Sequence, residues 1–292
     1  MSQIHDALCK SDLENLQSIL TATEPSPVKI SGKSAPRLRE LDGLPRVTAQ
    51  ISPKARLVAF TDPLGLGAEK FRALATRLDN LRGNRELKSI QVTSATMDDG
   101  KTLTSGNLAL TMAMRTSSNV LLIEGDLHKP ALAGLFGLDQ SLGLSGWWSQ
   151  PNSDILHFVR QLRETSLWLL TAGDPYEQPS DILRSAGFAK AFTGLTQLFD
   201  WIIVDSPPML PMVDANLWSR LVDGTLLVVR EGATPVKALK KGLQSLDNPK
   251  LIGVVLNEAS EFDQISQYER YYMGQRDGKP ARDRKESREG VV

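Results

Sequence analysis

Residues Val92–Leu110 read "VTSATMDDGKTLTSGNLAL". A β-branched run ends, the chain turns through Gly100-Lys101-Thr102, and a helical pattern begins. A loop of this kind can aim successive backbone N–H groups at phosphate oxygens, and a helix starting at Lys101 adds the positive end of its dipole. In such a loop Lys101 reaches the outer phosphates and the Thr102 hydroxyl ligates a divalent cation. The general pattern G-x-x-x-x-G-K-[ST] is intact only at its end, because Ala95 stands where the first glycine belongs. On these residues alone, the alternative is an ordinary helix N-terminus that happens to hold Gly-Lys-Thr.

The surrounding pattern alternates. Short apolar runs rich in Val, Ile and Leu lie at 89–95, 119–125, 167–173, 200–206, 225–230 and 251–257. Such runs are what strands buried on both faces look like. Helical patterns separate them at about 67–83, 101–115, 180–198, 212–221 and 234–247. This alternation predicts an α/β fold, a doubly wound and mainly parallel sheet with helices on both faces. Ligands of such folds bind beyond the carboxyl ends of the strands. No G-x-G-x-x-G follows the first strand, which argues against a dinucleotide-dependent reductase.

The chain has 292 residues, with 34 Lys+Arg against 34 Asp+Glu. Zero net charge gives no global pull toward nucleic acid or anionic membrane, so no nucleic-acid partner is expected. The lone Cys9 excludes an intrachain disulfide and suits a reducing cytoplasm. No apolar run approaches the roughly 20 residues that span a bilayer, so membrane association is expected only through a partner. Residues 1–21 read as an N-terminal helix, for docking on its own domain or on a partner. Residues 22–56, with Pro25, Pro27, Pro36, Pro45 and Pro53, read as a linker. The folded domain is expected over 57–272, and 273–292 as a charged, disordered tail.

Two more polar clusters fall at strand ends. In "VLLIEGDLHKP" the carboxylates Glu124 and Asp126 are spaced i, i+2, which in a regular strand puts both on one face. A pair of acids there suits a cation-bound nucleotide, or else only a solvated strand terminus. In "FDWIIVDSPP" four apolar residues precede Asp205, as in strands whose terminal acid holds Mg²⁺. Near the C-terminus Tyr268, Tyr271 and Tyr272 gather three of the four tyrosines, as acceptors of a modification or as packing in a last helix.

Taken in order, "TSATMDDGKTLTSGNLA", "VLLIEGDLHKPALAGLFGL", "FDWIIVDSPPMLPMVDANLWSRLVDGTLLVVREGATP" and "LIGVVLN" resemble the bacterial tyrosine kinases of capsule and exopolysaccharide synthesis, P-loop proteins related to the MinD/ParA ATPases. The resemblance covers about 60–272 and includes "AEKFRALATRL" and "QPSDILRS". It implies an ATP- and Mg²⁺-dependent protein-tyrosine autokinase. The nucleotide would be held by Asp98, Asp99, Gly100, Lys101, Thr102 and Leu103, with Asn257 near the base. Thr102, Asp126 and Asp205 would hold Mg²⁺, and Glu124 would accept the tyrosine proton, with Lys101 and Asp126 beside it. Tyr268, Tyr271 and Tyr272 would be phosphoacceptors. Glu69 and Arg72 would make subunit contacts in a homo-oligomer. A membrane-embedded chain-length or co-polymerase protein would be the partner, and the chain would be cytoplasmic, peripheral to the inner membrane. Three departures from the family pattern stand out: Asp98 for a loop glycine, His128 for an arginine, and Ala75 for the second arginine of the contact helix. They leave a nucleotide-binding regulatory subunit as the alternative reading, with a MinD/ParA-like positioning ATPase behind it.

Overall fold

A computed structural model describes residues 41, 43–115, 118–139, 142–150, 152–211, 213–246 and 250–259. Contacts divide the chain into one unit ending at Asn257 and a second beginning at Glu258. The strands are β1 (Arg46–Val47), β2 (Ser89–Ser94), β3 (Val120–Glu124), β4 (Arg160–Leu162), β5 (Leu167–Leu170), β6 (Trp201–Asp205), β7 (Gly224–Arg230) and β8 (Leu251–Asn257). The α-helices are α1 (Val58–Thr61), α2 (Leu66–Asn84), α3 (Lys101–Arg115), α4 (Leu132–Phe136), α5 (Leu144–Trp148), α6 (Pro179–Arg184), α7 (Ala186–Leu198), α8 (Asp214–Leu221) and α9 (Val236–Ser245).

One sheet runs in the order β1-β4-β5-β3-β6-β2-β7-β8. Every pairing is parallel except that of β4 with β5. The apolar runs are continuous because each strand feeds two cores in alternation. Val120 and Leu122 of β3 and Trp201 and Ile203 of β6 pack with Leu78, Leu108 and Phe136 on one face. Leu121, Ile123, Ile202 and Val204 pack with Phe188, Phe192 and Trp218 on the other. Full burial of each large side chain contributes roughly 1.5–3 kcal/mol, so the sheet is the rigid base from which the loops at its carboxyl edge project.

Two expectations are corrected. Residues 43–56 do not form a linker: β1 pairs with β4, the Gln161 amide donates to the Pro45 carbonyl at 2.8 Å, and the Gln50 amide donates to that of Phe136 at 3.1 Å. Leu41 is buried as well. The folded body therefore begins before residue 57. The single helix expected at 180–198 is broken at Ser185, whose hydroxyl accepts the Phe188 amide at 3.0 Å and so starts α7 as an N-cap. The N-terminal helix at 1–21, the tail at 273–292 and Tyr268, Tyr271 and Tyr272 lie outside the described residues.

The helix expected to make subunit contacts is α2. Arg72 donates to Glu69 at 2.6 and 2.8 Å and to the Pro63 carbonyl at 2.7 Å, so the pair is preorganised on one exposed face. Ala75, one turn further, is fully buried in the core under α2. An arginine at this position would enter the core rather than the surface that carries Glu69 and Arg72. Ala75→Arg should destabilise the protein by more than about 3 kcal/mol, since it would bury an unpaired charge in a packed core. Urea unfolding of the variant checks this, and a loss under 1 kcal/mol (roughly the range of surface substitutions) would refute the placement.

Candidate active site

The phosphate-type loop links β2 to α3. The first three amides of α3, those of Lys101, Thr102 and Leu103, have no intrahelical acceptor, while the Thr104 amide donates to the Gly100 carbonyl at 2.9 Å. The loop is braced from inside. Asp99 is buried, and its carboxylate accepts the Thr96 amide at 3.1 Å, the Thr96 hydroxyl at 3.0 Å and the Thr234 hydroxyl at 2.7 Å. From the end of β8, the Asn257 amide group donates to the Asp99 carbonyl at 3.0 Å. Gly100 has φ +96°, and a Cβ there would lie 2.1 Å from the Asn257 nitrogen, so only glycine fits. Asn257, expected near a nucleobase, is therefore a brace of the loop. Asp98 is exposed and turned outward, with φ +64°, a left-handed conformation that aspartate adopts more readily than most residues but at a cost.

The carboxylates lie one and two strands away. Glu124 and Asp205 are register partners across β3 and β6, and the ladder continues with the Gly125 amide donating to the Asp205 carbonyl at 2.8 Å. Glu124 has no exposed surface. One of its oxygens accepts the amides of Ala131 and Leu132, and the other accepts the Ala172 amide at 3.2 Å. Burial pushes its pKa up; the three main-chain donors pull it down, and the Asp126 charge adds a smaller upward push. The expectation that Glu124 is an available base is corrected here: its lone pairs position the 131–132 and 172 segments. The two acids do not share a face either, because β3 ends at Glu124 and the period of two ends with it. Gly125 between them is obligatory, since a Cβ would meet Trp218 and Val204 at 2.7 Å, and the Trp218 indole donates to the Gly125 carbonyl at 3.1 Å.

Asp126 turns toward the loop. One oxygen accepts the Lys129 amide at 3.0 Å, and the other pairs with the Lys101 ammonium at 3.2 Å. Asp205 lies beside them, 1% exposed, and neither of its oxygens has a hydrogen bond of ordinary geometry. Its pKa is pushed up to about 7. Burial is the main cause, the neighbouring Glu124 and Asp126 add to it, and Lys101 and the adjacent Thr102 hydroxyl oppose it. Two orphaned oxygens on a buried aspartate, next to a threonine hydroxyl and a second carboxylate, suit a small hard cation. No group of three or more His, Cys, Asp or Glu placed to share an ion occurs among the described residues.

His128 occupies the place expected of an arginine. Its Nε2 lies 2.9 Å from Asp214, whose other oxygen accepts the Ser180 hydroxyl at 2.5 Å. This network joins the segments after β3, β5 and β6. Its residues are dispersed in sequence; Ser180 and Asp214 lie in stretches that carry the resemblance, "QPSDILRS" and "PMVDANLW", but no role was expected of either.

The chain is similar to tyrosine-protein kinase YwqD of Bacillus subtilis (strain 168), 30% identical over 203 residues, which are 69% of this chain and 85% of that protein. CapB of Staphylococcus aureus is 32% identical over 225 residues, covering 76% and 96%. Succinoglycan biosynthesis transport protein ExoP of Rhizobium meliloti (strain 1021) matches at 30% identity over 28% of its own length. Among solved structures, the kinase domain of Escherichia coli tyrosine kinase ETK superimposes with a TM-score of 0.67 at 26% identity, covering 79% of this chain and 88% of that one. No protein-family model matches.

Two outcomes follow from this geometry. Asp205 binds its proton more tightly folded, near pH 7, than unfolded, near 3.8. That contribution to stability is complete below about pH 4 and is lost as the pH rises through about 7. Metal-free Asp205→Asn should therefore melt above the parent at pH 8 and with it below pH 4; equal melting at pH 8 would refute the orphaned carboxylate. Asp98→Gly should relieve roughly 1 kcal/mol of left-handed strain and remove an anion from the rim, so calorimetry should show tighter ATP binding. A clear loss of affinity would show that Asp98 is recruited to the ligand.

Proposed function

Because the chain belongs to the bacterial tyrosine-protein kinases, we propose that it transfers the γ-phosphoryl group of ATP to tyrosine hydroxyls, its own among them, in the production or export of an exopolysaccharide or capsule. The Lys101–Asp126 pair, set between a braced phosphate-type loop and the orphaned Asp205, carries this reading.

In it, Lys101 leaves Asp126 for the β- and γ-phosphate oxygens, and the free amides of α3 complete the cradle. Thr102 and Asp205 would hold Mg²⁺, with Asp126 beside them; the ion supplies charge neutralisation to the phosphates. The tyrosine oxygen bonds to the γ-phosphorus as the bond from that phosphorus to the bridging oxygen breaks, and ADP leaves. The hydroxyl proton passes to Asp126, whose Lys101-paired oxygen is freed, rather than to the enclosed Glu124. Phosphoryl transfer through a loose transition state needs positioning and charge neutralisation more than a strong base.

Tyr268, Tyr271 and Tyr272 are the proposed acceptors, and Glu69 and Arg72 the proposed contacts of a homo-oligomer. No helix among the described residues is long and apolar enough to cross a membrane. The match to a segment of the much longer ExoP supports a membrane-embedded co-polymerase as partner, with this chain on the cytoplasmic side.

Incubation of the protein with Mg-ATP followed by mass spectrometry should find phosphate on Tyr268, Tyr271 or Tyr272 and none on Tyr176. Lys101→Met should abolish it and weaken ATP binding by roughly 1.5–3 kcal/mol, the value of a charge-assisted contact. Replacing the three tail tyrosines with phenylalanine should leave ATP binding intact. ATP binding with no phosphotyrosine would replace the kinase reading with that of a regulatory subunit.

A further inference from the structure

A cavity of about 170 Å³ opens beside the site, between the segments that follow β3 and β5. Along the carboxyl edge of the sheet the order is the phosphate loop on β2, Asp205 on β6, Asp126 after β3, and then this cavity. It lies on the far side of the carboxylates from the loop, with adjacent strands only about 4.8 Å apart. Leu127 and His128, the two residues after Asp126, form part of its wall.

Its walls suit one aromatic ring. A dry cavity of about 150 Å³ is large enough for benzene. Pro130, Pro175, Pro179 and Tyr176 offer flat apolar faces, and the Tyr176 hydroxyl is fixed by the Trp148 indole at 3.1 Å. Ser145, in the first turn of α5, also lines the cavity. It is 7% exposed; its hydroxyl oxygen lies against Gly173 with no hydrogen-bond partner among the described residues, and a turn about χ1 is what would bring it to the cavity. A buried polar group without a partner costs free energy, and an entering hydroxyl would recover it.

The mouth rejects anions. Asp174 and Glu177 are exposed there, and His128, the one basic residue in the lining, is held by Asp214. A phosphorylated ring, with about −1.5 to −2 charges, would face these two carboxylates.

We propose that this cavity is an anchor subsite for an unmodified tyrosine of the acceptor segment, distinct from the tyrosine that receives phosphate. This rests on the kinase reading. The anchor ring enters between the prolines and Tyr176, its hydroxyl donates to Ser145 Oγ, and a second tyrosine of the same segment is held toward Asp126. Segments with clustered tyrosines, like the three within residues 268–272 of this chain, supply both at once. Phosphorylation of the anchor tyrosine expels it, so the subsite distinguishes the modified from the unmodified segment.

The test is titration of the full-length protein, observed by NMR, with N-acetyl-tyrosinamide, N-acetyl-phenylalaninamide and the O-phosphorylated tyrosinamide. The tyrosine compound should bind roughly threefold to tenfold more tightly than the phenylalanine one, as one recovered hydrogen bond implies, and the phosphorylated one should not bind. Ser145→Ala should erase the preference for the hydroxyl while keeping the ring. Ser145→Leu should fill the cavity, and with a two-tyrosine peptide it should raise KM while leaving kcat and ATP affinity unchanged. Binding of the phosphorylated compound as tight as the unmodified one, or a tyrosine preference that survives Ser145→Ala, would overturn the proposal. The titrations need no turnover, so failure of the kinase reading would show separately, as absence of phosphotyrosine in protein that still binds the ring.

Discussion

Three carboxylates and one ammonium are confined to a dry place at the ends of adjacent parallel strands, and the rest of the site follows from how each charge is handled. Glu124 and Asp205 face each other across the β3–β6 ladder, with Asp126 two residues on. Buried acids must be neutralised, paired or hydrogen-bonded. Glu124 is satisfied by three main-chain donors, and Asp126 by Lys101 and the Lys129 amide. Asp205 has no hydrogen bond of ordinary geometry among the described residues, and burial pushes its pKa up to about 7 against the pull of Lys101 and the Thr102 hydroxyl. The protein thus has one unfilled requirement for positive charge, located where the phosphate loop would bring a nucleotide and its cation.

The loop carries the same division of labour. Here Asp99 ties the loop to Thr96 and Thr234, and Asn257 ties it to the end of β8. The Thr234 and Asn257 bonds join segments more than a hundred residues apart, while those from Thr96 lie within the loop, so the loop is held by the sheet as well as by its own turn. An exposed aspartate at φ +64° is tolerable in a loop already held this way.

Much of the fold was legible because buried parallel strands read as unbroken apolar runs: β2, β3, β6, β7 and β8 lie within one residue of their expected limits at nearly every end. β1 and β4 were invisible because two and three residues carry no period, and five prolines outweighed the contacts that fold 43–56 onto the sheet. The break at Ser185 had a readable signal, a serine before Ala-Gly-Phe, that the helical periodicity concealed. Lys101, Asp126 and Asp205 converge as the motifs imply. Glu124 and Asn257 also carry structural roles that the motifs did not show, set by partners distant in sequence or in a neighbouring segment: the Ala131, Leu132 and Ala172 amides for one, and the Asp99 carbonyl for the other.

The Lys101–Asp126 pair also constrains how a nucleotide can bind. Both side chains are mostly buried, 14% and 6% exposed, so their attraction is weakly screened, and removing either partner alone would leave an unpaired charge. Phosphate can take Lys101 only if Asp126 finds another positive neighbour at the same time. On the proposed reading, a divalent cation arriving with the nucleotide would satisfy Asp205 and lie beside Asp126 in the same step. ATP without the cation would instead add anionic oxygens to three carboxylates around a single ammonium. On that reading, the buried charge balance would favour the metal–nucleotide complex over the free nucleotide before any chemistry takes place.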